Sequence, residues 1–158
     1  EKAKSVKTPG EEVPNWKMDE DERPIDKEQV TKFRMLAARA NYLSSDRPDI
    51  QYAVKECCRG MAAPLHRHWN MLKRLARYLL GRERMIVYYN WQGLEDIKAY
   101  SDSDWASCKR TARSTSRGVI MRGQHFLKSW SSTQKRVTLS SAEAELGQQS
   151  KRLSKQSE

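Results

Sequence analysis

Long apolar runs are missing from this chain of 158 residues. Hydrophobic residues make up 37% of it and charged residues 32%, and no stretch holds the roughly 18 consecutive apolar residues that a membrane helix needs. The sequence therefore offers no membrane partner. The N-terminus also lacks the apolar block of a signal peptide, because no continuous hydrophobic stretch follows the lysines of residues 1–14. Cysteine is scarce. Cys57 and Cys58 are adjacent and Cys108 stands alone, which makes neither a disulfide framework nor a metal knuckle. Reduced thiols fit an intracellular protein, cytoplasmic or nuclear. Aliphatic residues are nearly absent from the first 24 positions, where Lys, Glu, Asp and the prolines Pro9, Pro14 and Pro24 dominate. That composition predicts a disordered arm or linker over residues 1–25.

What the chain does have is positive charge, unevenly placed. The net charge is +10, yet residues 1–30 hold nine acids and six bases, leaving 24 bases against 11 acids in the remainder. Such a balance fits a polyanionic partner such as nucleic acid. It equally fits an ordinary basic, soluble protein.

From residue 26 the pattern becomes helical. Val30, Phe33, Ala37 and Ala40 recur at the spacing of one helix face, with Leu36 and Leu43 on its flank, and predict a helix over 26–42. The run Ser44-Ser45-Asp46-Arg47-Pro48 breaks it and starts another, whose stripe is Ile50, Val54, Cys57 and Met61. In that stripe the paired cysteines read as packing residues. After Gly60 and Pro64 comes the most regular segment, 65–80. Trp69, Leu72, Ala76, Leu79 and Leu80 share one face, while Arg67, Arg74 and Arg77, with Lys73 at the edge, lie on the other. Four cations on one arc suit phosphates or simply face solvent. His66 and His68, two residues apart, do not share a helical face, and a zinc site would need three or four ligands.

Gly81 closes the helical half, and the periodicity turns extended. Strands are predicted over 85–91 and 97–101, then a hairpin of 117–122 and 125–130 around Gly123-Gln124, then a short strand over 136–139. Asp102 ends a predicted strand, with Asp104 in the following turn. Ser140 caps a last helix and Glu143 closes a capping box, which explains Glu143 but leaves Glu145 without a structural duty. Carboxylates at the ends of rigid elements are what a two-metal phosphodiesterase needs to hold divalent ions roughly 3.5–4 Å apart. By spacing alone, Asp102 and Glu145 could also be two unrelated exposed acids.

The words of the sequence resemble the reverse transcriptase and ribonuclease H part of copia-type LTR retrotransposon polyproteins. The segments that carry the resemblance begin with Phe33-Arg34 through Asn41-Tyr42-Leu43 and Arg47-Pro48-Asp49-Ile50-Gln51-Tyr52-Ala53-Val54. His68-Trp69, Lys73-Arg74 and Arg77-Tyr78-Leu79 before Gly81 continue it. Tyr100-Ser101-Asp102-Ser103-Asp104-Trp105-Ala106, Arg113-Ser114-Thr115-Ser116, Ser129-Trp130-Ser131-Ser132 and Leu139-Ser140-Ser141-Ala142-Glu143-Ala144-Glu145 complete it, so that it spans about residues 30–146.

The resemblance implies an α+β fold. A helical thumb or connection-like region over 26–82 would lead into a connection strand and a truncated ribonuclease H-like mixed β-sheet with a C-terminal helix over 83–158. It implies hydrolysis of RNA in RNA–DNA hybrids with Mg²⁺ or Mn²⁺, with Asp102 and Glu145 as catalytic metal ligands and Asp104 as a further metal ligand. Arg67, Lys73, Arg74 and Arg77 would hold phosphates. Its partners would be an RNA–DNA hybrid or other nucleic acid and the remaining parts of a reverse transcriptase. The family's polymerase palm would lie before this chain, so no polymerisation is expected. After Glu145 the sole acid is Glu158, and two or three carboxylates hold two Mg²⁺ poorly. Activity of the chain alone is therefore not expected, and a non-catalytic, basic nucleic-acid-binding module is the rival reading.

Overall fold

The computed structural model describes residues 3–11, 22–93, 96–106 and 111–146. The chain divides into two units, Glu1–Met85 and Ile86–Glu158. The class is α+β, with helices in the first unit and an antiparallel sheet in the second.

The first unit is built on three helices: α1 (Lys27–Leu43), α2 (Gln51–Arg59), entered through a 3₁₀ turn at Pro48–Ile50, and α3 (His66–Gly81). Phe33 and Ala37 of α1 are fully buried, as their spacing predicts, and they meet Ile50, Ala53, Val54 and Cys57 from the second helical segment. Pro48 opens the 3₁₀ turn, where its missing N–H costs nothing. Burial pushes the Cys57 thiol up to about 12, so Cys57 behaves as a core hydrophobe.

α3 is rotated from the orientation its leucines suggest. Its buried residues are His68, Leu72, Leu75 and Tyr78, whereas Leu80 is exposed and Trp69 and Leu79 are only partly covered. The cause lies in two polar side chains that find partners inside. His68 Nδ1 accepts the Leu65 N–H at 3.0 Å, a bond that caps the helix start. Tyr78 Oη donates to Asp49 Oδ2 at 2.8 Å. The His68 ring also lies against Gly60, where an added Cβ would come within 2.4 Å of it. With that face inside, the predicted leucine face lines an open apolar groove of about 290 Å³ between Leu36, Ala40 and Leu43 of α1 and Trp69, Ala76 and Leu79 of α3.

The described parts of the expected disordered arm carry contacts. Val6 packs against the helical core, and Ile25 is buried within it. Pro24 pairs with Leu65 in a single antiparallel bridge, and the Arg23 carbonyl accepts the His66 N–H at 2.9 Å. Residues 12–21 lie outside the described residues.

The second unit is a sheet in the order β1-β2-β3, formed by Ile97–Asp104, Thr115–Arg122 and His125–Thr133. All its pairs are antiparallel, so the expected mixed sheet is not found among the described residues. The predicted hairpin forms around Gly123, whose φ of 54° is the left-handed conformation that glycine permits in a two-residue turn. Gly118 is needed for a different reason. A Cβ there would fall 2.3 Å from the Trp130 ring and 2.6 Å from the Tyr100 carbonyl oxygen.

Two predicted strands are absent. Residues 86–91 join no ladder and leave Ile86, Tyr88, Tyr89 and Trp91 exposed. Side-chain bonds hold this stretch to the hairpin instead, as Tyr89 Oη donates to the Phe126 carbonyl at 2.8 Å and Gln92 Nε2 to the Arg122 carbonyl at 2.7 Å. Residues 136–139 form bends in which Thr138 is buried and bonded to side chains of other segments.

Candidate functional site

Asp102 and Asp104 both stand on β1, within the ladder. Asp102 pairs with Arg117 of β2 and Asp104 with Thr115. Alternation along a strand puts Asp102 and Asp104 on one face, together with Arg117. The guanidinium answers both acids: Arg117 Nε lies 2.9 Å from Asp102 Oδ2, and its Nη2 3.8 Å from Asp104 Oδ2. All three side chains are at least half exposed, so the pairing is worth no more than about 1 kcal/mol.

Ser101 and Ser103 face the other way, and the last helical segment, 141–146, is tied to that side. Ser103 pairs with Ser116 across the ladder. Gln134 Nε2 donates to Ser116 Oγ at 3.0 Å and to the Ala144 carbonyl at 2.8 Å. Trp105 Nε1 donates to the Thr138 carbonyl at 3.0 Å, and the hydroxyls of Ser114 and Thr138 are 2.8 Å apart. This polar network, buried at Ser114, Ser116, Gln134 and Thr138, joins the two stretches that bear Asp102 and Glu145, and it brings the backbone before Glu145 to the end of the sheet that holds Asp104.

Helix 141–146 starts as its sequence predicts, with one adjustment. The Glu143 N–H donates to Ser140 Oγ at 3.2 Å, while the Glu143 carboxylate accepts from the Leu139 N–H at 2.8 Å, one residue earlier than a capping box would place it. Glu143 is thus a capping residue. Glu145 is exposed. Among the described residues no three His, Cys, Asp or Glu side chains are grouped to hold a metal ion. Asp102, Asp104 and Glu145 do not fit a two-Mg²⁺ site in this arrangement, because a guanidinium supplies the positive charge and the third carboxylate does not join the pair.

The four cations named on α3 separate into two groups. Arg67, Arg74 and Arg77 form one row, and each meets an oxygen of the N-terminal segment. Arg67 Nη1 lies 3.0 Å from Glu22 Oε1, and Arg77 Nε 2.6 Å from the Lys4 carbonyl. Arg74 Nη1 pairs with the Glu11 carboxylate and Nη2 with Thr8 Oγ1 at 2.9 Å. Lys73 stands apart, on the rim of the apolar groove with Arg39.

Comparison with known proteins gives this geometry its family. The retrovirus-related Pol polyprotein from transposon RE2 of Arabidopsis thaliana is 39% identical over 116 residues, which are 73% of this chain and 8% of that protein. Its counterpart from transposon RE1 of the same plant matches with the same identity and coverage. The chain belongs to the retrotransposon Pol polyprotein family. A third relative, the uncharacterized mitochondrial protein AtMg00810 of Arabidopsis thaliana, is 37% identical over 114 residues, 72% of this chain and 47% of that protein. The Pol chain described here thus spans under a tenth of the length of the two polyproteins it matches and just under half of the mitochondrial protein. No family model and no solved structure matches it.

In this Pol chain, sequence reasoning missed the arginines that serve the fold. Arg47 is buried and donates to both oxygens of Asp49, at 2.9 and 2.8 Å, and to the Arg82 carbonyl at 3.1 Å. That pairing holds the Asp49 carboxyl below its usual range and Arg47 above its own, while burial raises Tyr78. Arg34 donates to the carbonyls of Met61 and Ala62, at 2.8 and 3.0 Å, tying α1 to the loop before α3. One signal was available: both arginines lie within the Pol-like words, on helical or turn segments crowded with core residues. Counting their charge toward nucleic-acid binding overstates that capacity.

Proposed function

We propose that this Pol-family chain is the segment running from the end of a reverse transcriptase into the start of a ribonuclease H-like domain. That is the class of protein that hydrolyses RNA in RNA–DNA hybrids during reverse transcription. On its own the chain grips nucleic acid through the arginine row of α3 and does not cleave it. The observation that supports the second half is the Asp102–Arg117–Asp104 arrangement, in which a guanidinium lies against both acids and offsets their charge. The arginine row supports the first half, since guanidinium groups match phosphate geometry and fix register rather than sequence.

The test is an end-labelled RNA–DNA hybrid incubated with the chain and Mg²⁺ or Mn²⁺, with binding recorded in the same samples. Binding without cleavage is expected, and Asp102→Asn should leave that binding largely unchanged. Cleavage that disappears in Asp102→Asn would overturn the reading of an inactive site. Absence of binding at low salt would overturn the grip on nucleic acid.

A further inference from the structure

The oxygens that meet the arginine row come from the chain itself. Lys4 lies against Arg77, Thr8 and Glu11 against Arg74, and Glu22 against Arg67, so the N-terminal segment runs antiparallel to α3. Its path is moulded to the helix. Ser5 sits where a side chain on Gly81 would be, since a Cβ there would fall 2.9 Å from Ser5 Cβ, and Val6 packs onto the core. At the far end, the Arg23 carbonyl and the Pro24–Leu65 bridge fasten the segment to the start of α3. From Arg67 to Arg77 the row covers about 15 Å at 1.5 Å per residue. Along it, two carboxylates, a hydroxyl and a carbonyl offer the acceptors that a phosphodiester backbone would.

We infer that residues 3–11 and 22–24 are an intramolecular occupant of the α3 arginine row, which nucleic acid must displace in order to bind. This rests on the reading of that row as the nucleic-acid grip. Two features make displacement feasible. The carboxylates are exposed, Glu22 at 54% and Glu11 at 63% of their side chains, so each pair is weak enough for a phosphate to replace. Arg74 also keeps a buried Nε with no partner in the occupied state, a donor left for an incoming phosphate. An occupied site lowers apparent affinity by the fraction of molecules in which it is open. Weakening the occupant should therefore tighten binding without adding any contact to nucleic acid.

The experiment is fluorescence anisotropy of a labelled RNA–DNA hybrid with the full chain and four variants. Glu11→Gln with Glu22→Gln should raise affinity about twofold to thirtyfold, the range that releasing two weak ion pairs supplies. Glu28→Gln with Asp46→Asn removes the same charge elsewhere in the unit and should raise it less. Arg67→Gln with Arg74→Gln and Arg77→Gln should weaken binding, and adding the arm substitutions to it should restore nothing. If the arm variant matches the charge control while the arginine variant loses affinity, the occupant is disproved and the grip stands. If the arginine variant binds like the parent, the grip itself fails and the inference with it. A second reading comes from trypsin: saturating hybrid should speed cleavage after Lys7, and protection there would overturn displacement.

Discussion

Arg47, Asp49 and Tyr78 show how much one residue can carry. A buried guanidinium, a carboxylate that accepts two of its N–H groups and a phenol that donates to the same carboxylate leave few buried donors unmet. Asp49→Asn keeps the shape but strands the charge of Arg47, and it is expected to cost about 1–3 kcal/mol in chemical denaturation. The pH dependence follows from the direction of the shift. Because the folded carboxyl titrates below its ordinary value, its stabilisation is present above the unfolded carboxylate range, near pH 4, and is lost as pH falls through the depressed folded value. The stability gap between parent and Asp49→Asn should hold steady near neutrality and close in acid. A gap unchanged down to the acid transition would contradict the pairing.

Elements are where periodicity succeeds or misleads. α1 buries Phe33 and Ala37 as its pattern predicts, while Leu36 and Leu43 on its flank stay exposed. α3 has an apolar arc wider than the core can cover, and the polar partners of His68 and Tyr78 decide which part turns inward. In the sheet, the close approach of the Trp130 ring to Gly118 settles the β2–β3 packing. Gly118→Ala places a methyl into both that ring and the Tyr100 carbonyl, and overpacking of this kind costs about 1–3 kcal/mol. A lowered denaturation midpoint with altered Trp130 fluorescence is the expected result, and an unperturbed midpoint would mean that the ring moves freely.

At the scale of the whole molecule, electrostatics decides. The net charge of +10 attracts any polyanion, but Arg34 and Arg47 are tied to backbone carbonyls and Arg117 to two acids. If the grip uses three or four phosphates, log affinity for a B-form-like duplex should fall with log salt at a slope of about −3 to −4. A much steeper slope would mean that the arginines serving the fold also reach phosphates, and a flat one that charge plays no part. Among the described residues, no helix is long and apolar enough to cross a membrane.

Much of this is legible in the sequence: the three helices, the hairpin at Gly123, the cap at Ser140 and the family carried by the words around Asp102 and Glu145. These depend on local backbone preference, on period, and on strings of residue types, all of which a linear sequence contains. The rest depends on which distant groups meet. Residues 86–91 have the composition of a strand yet join no ladder among the described residues, because a ladder needs a neighbour and composition names none. Arg117 lies 15 residues from Asp102 in the chain and 2.9 Å away across the ladder. Arg74 finds Glu11 63 residues back. Sequence alone determined which residues could carry charge, cap a helix or fill a core. Tertiary structure alone decided which charges cancel, because attraction depends on distance in space, and no spacing along the chain encodes it.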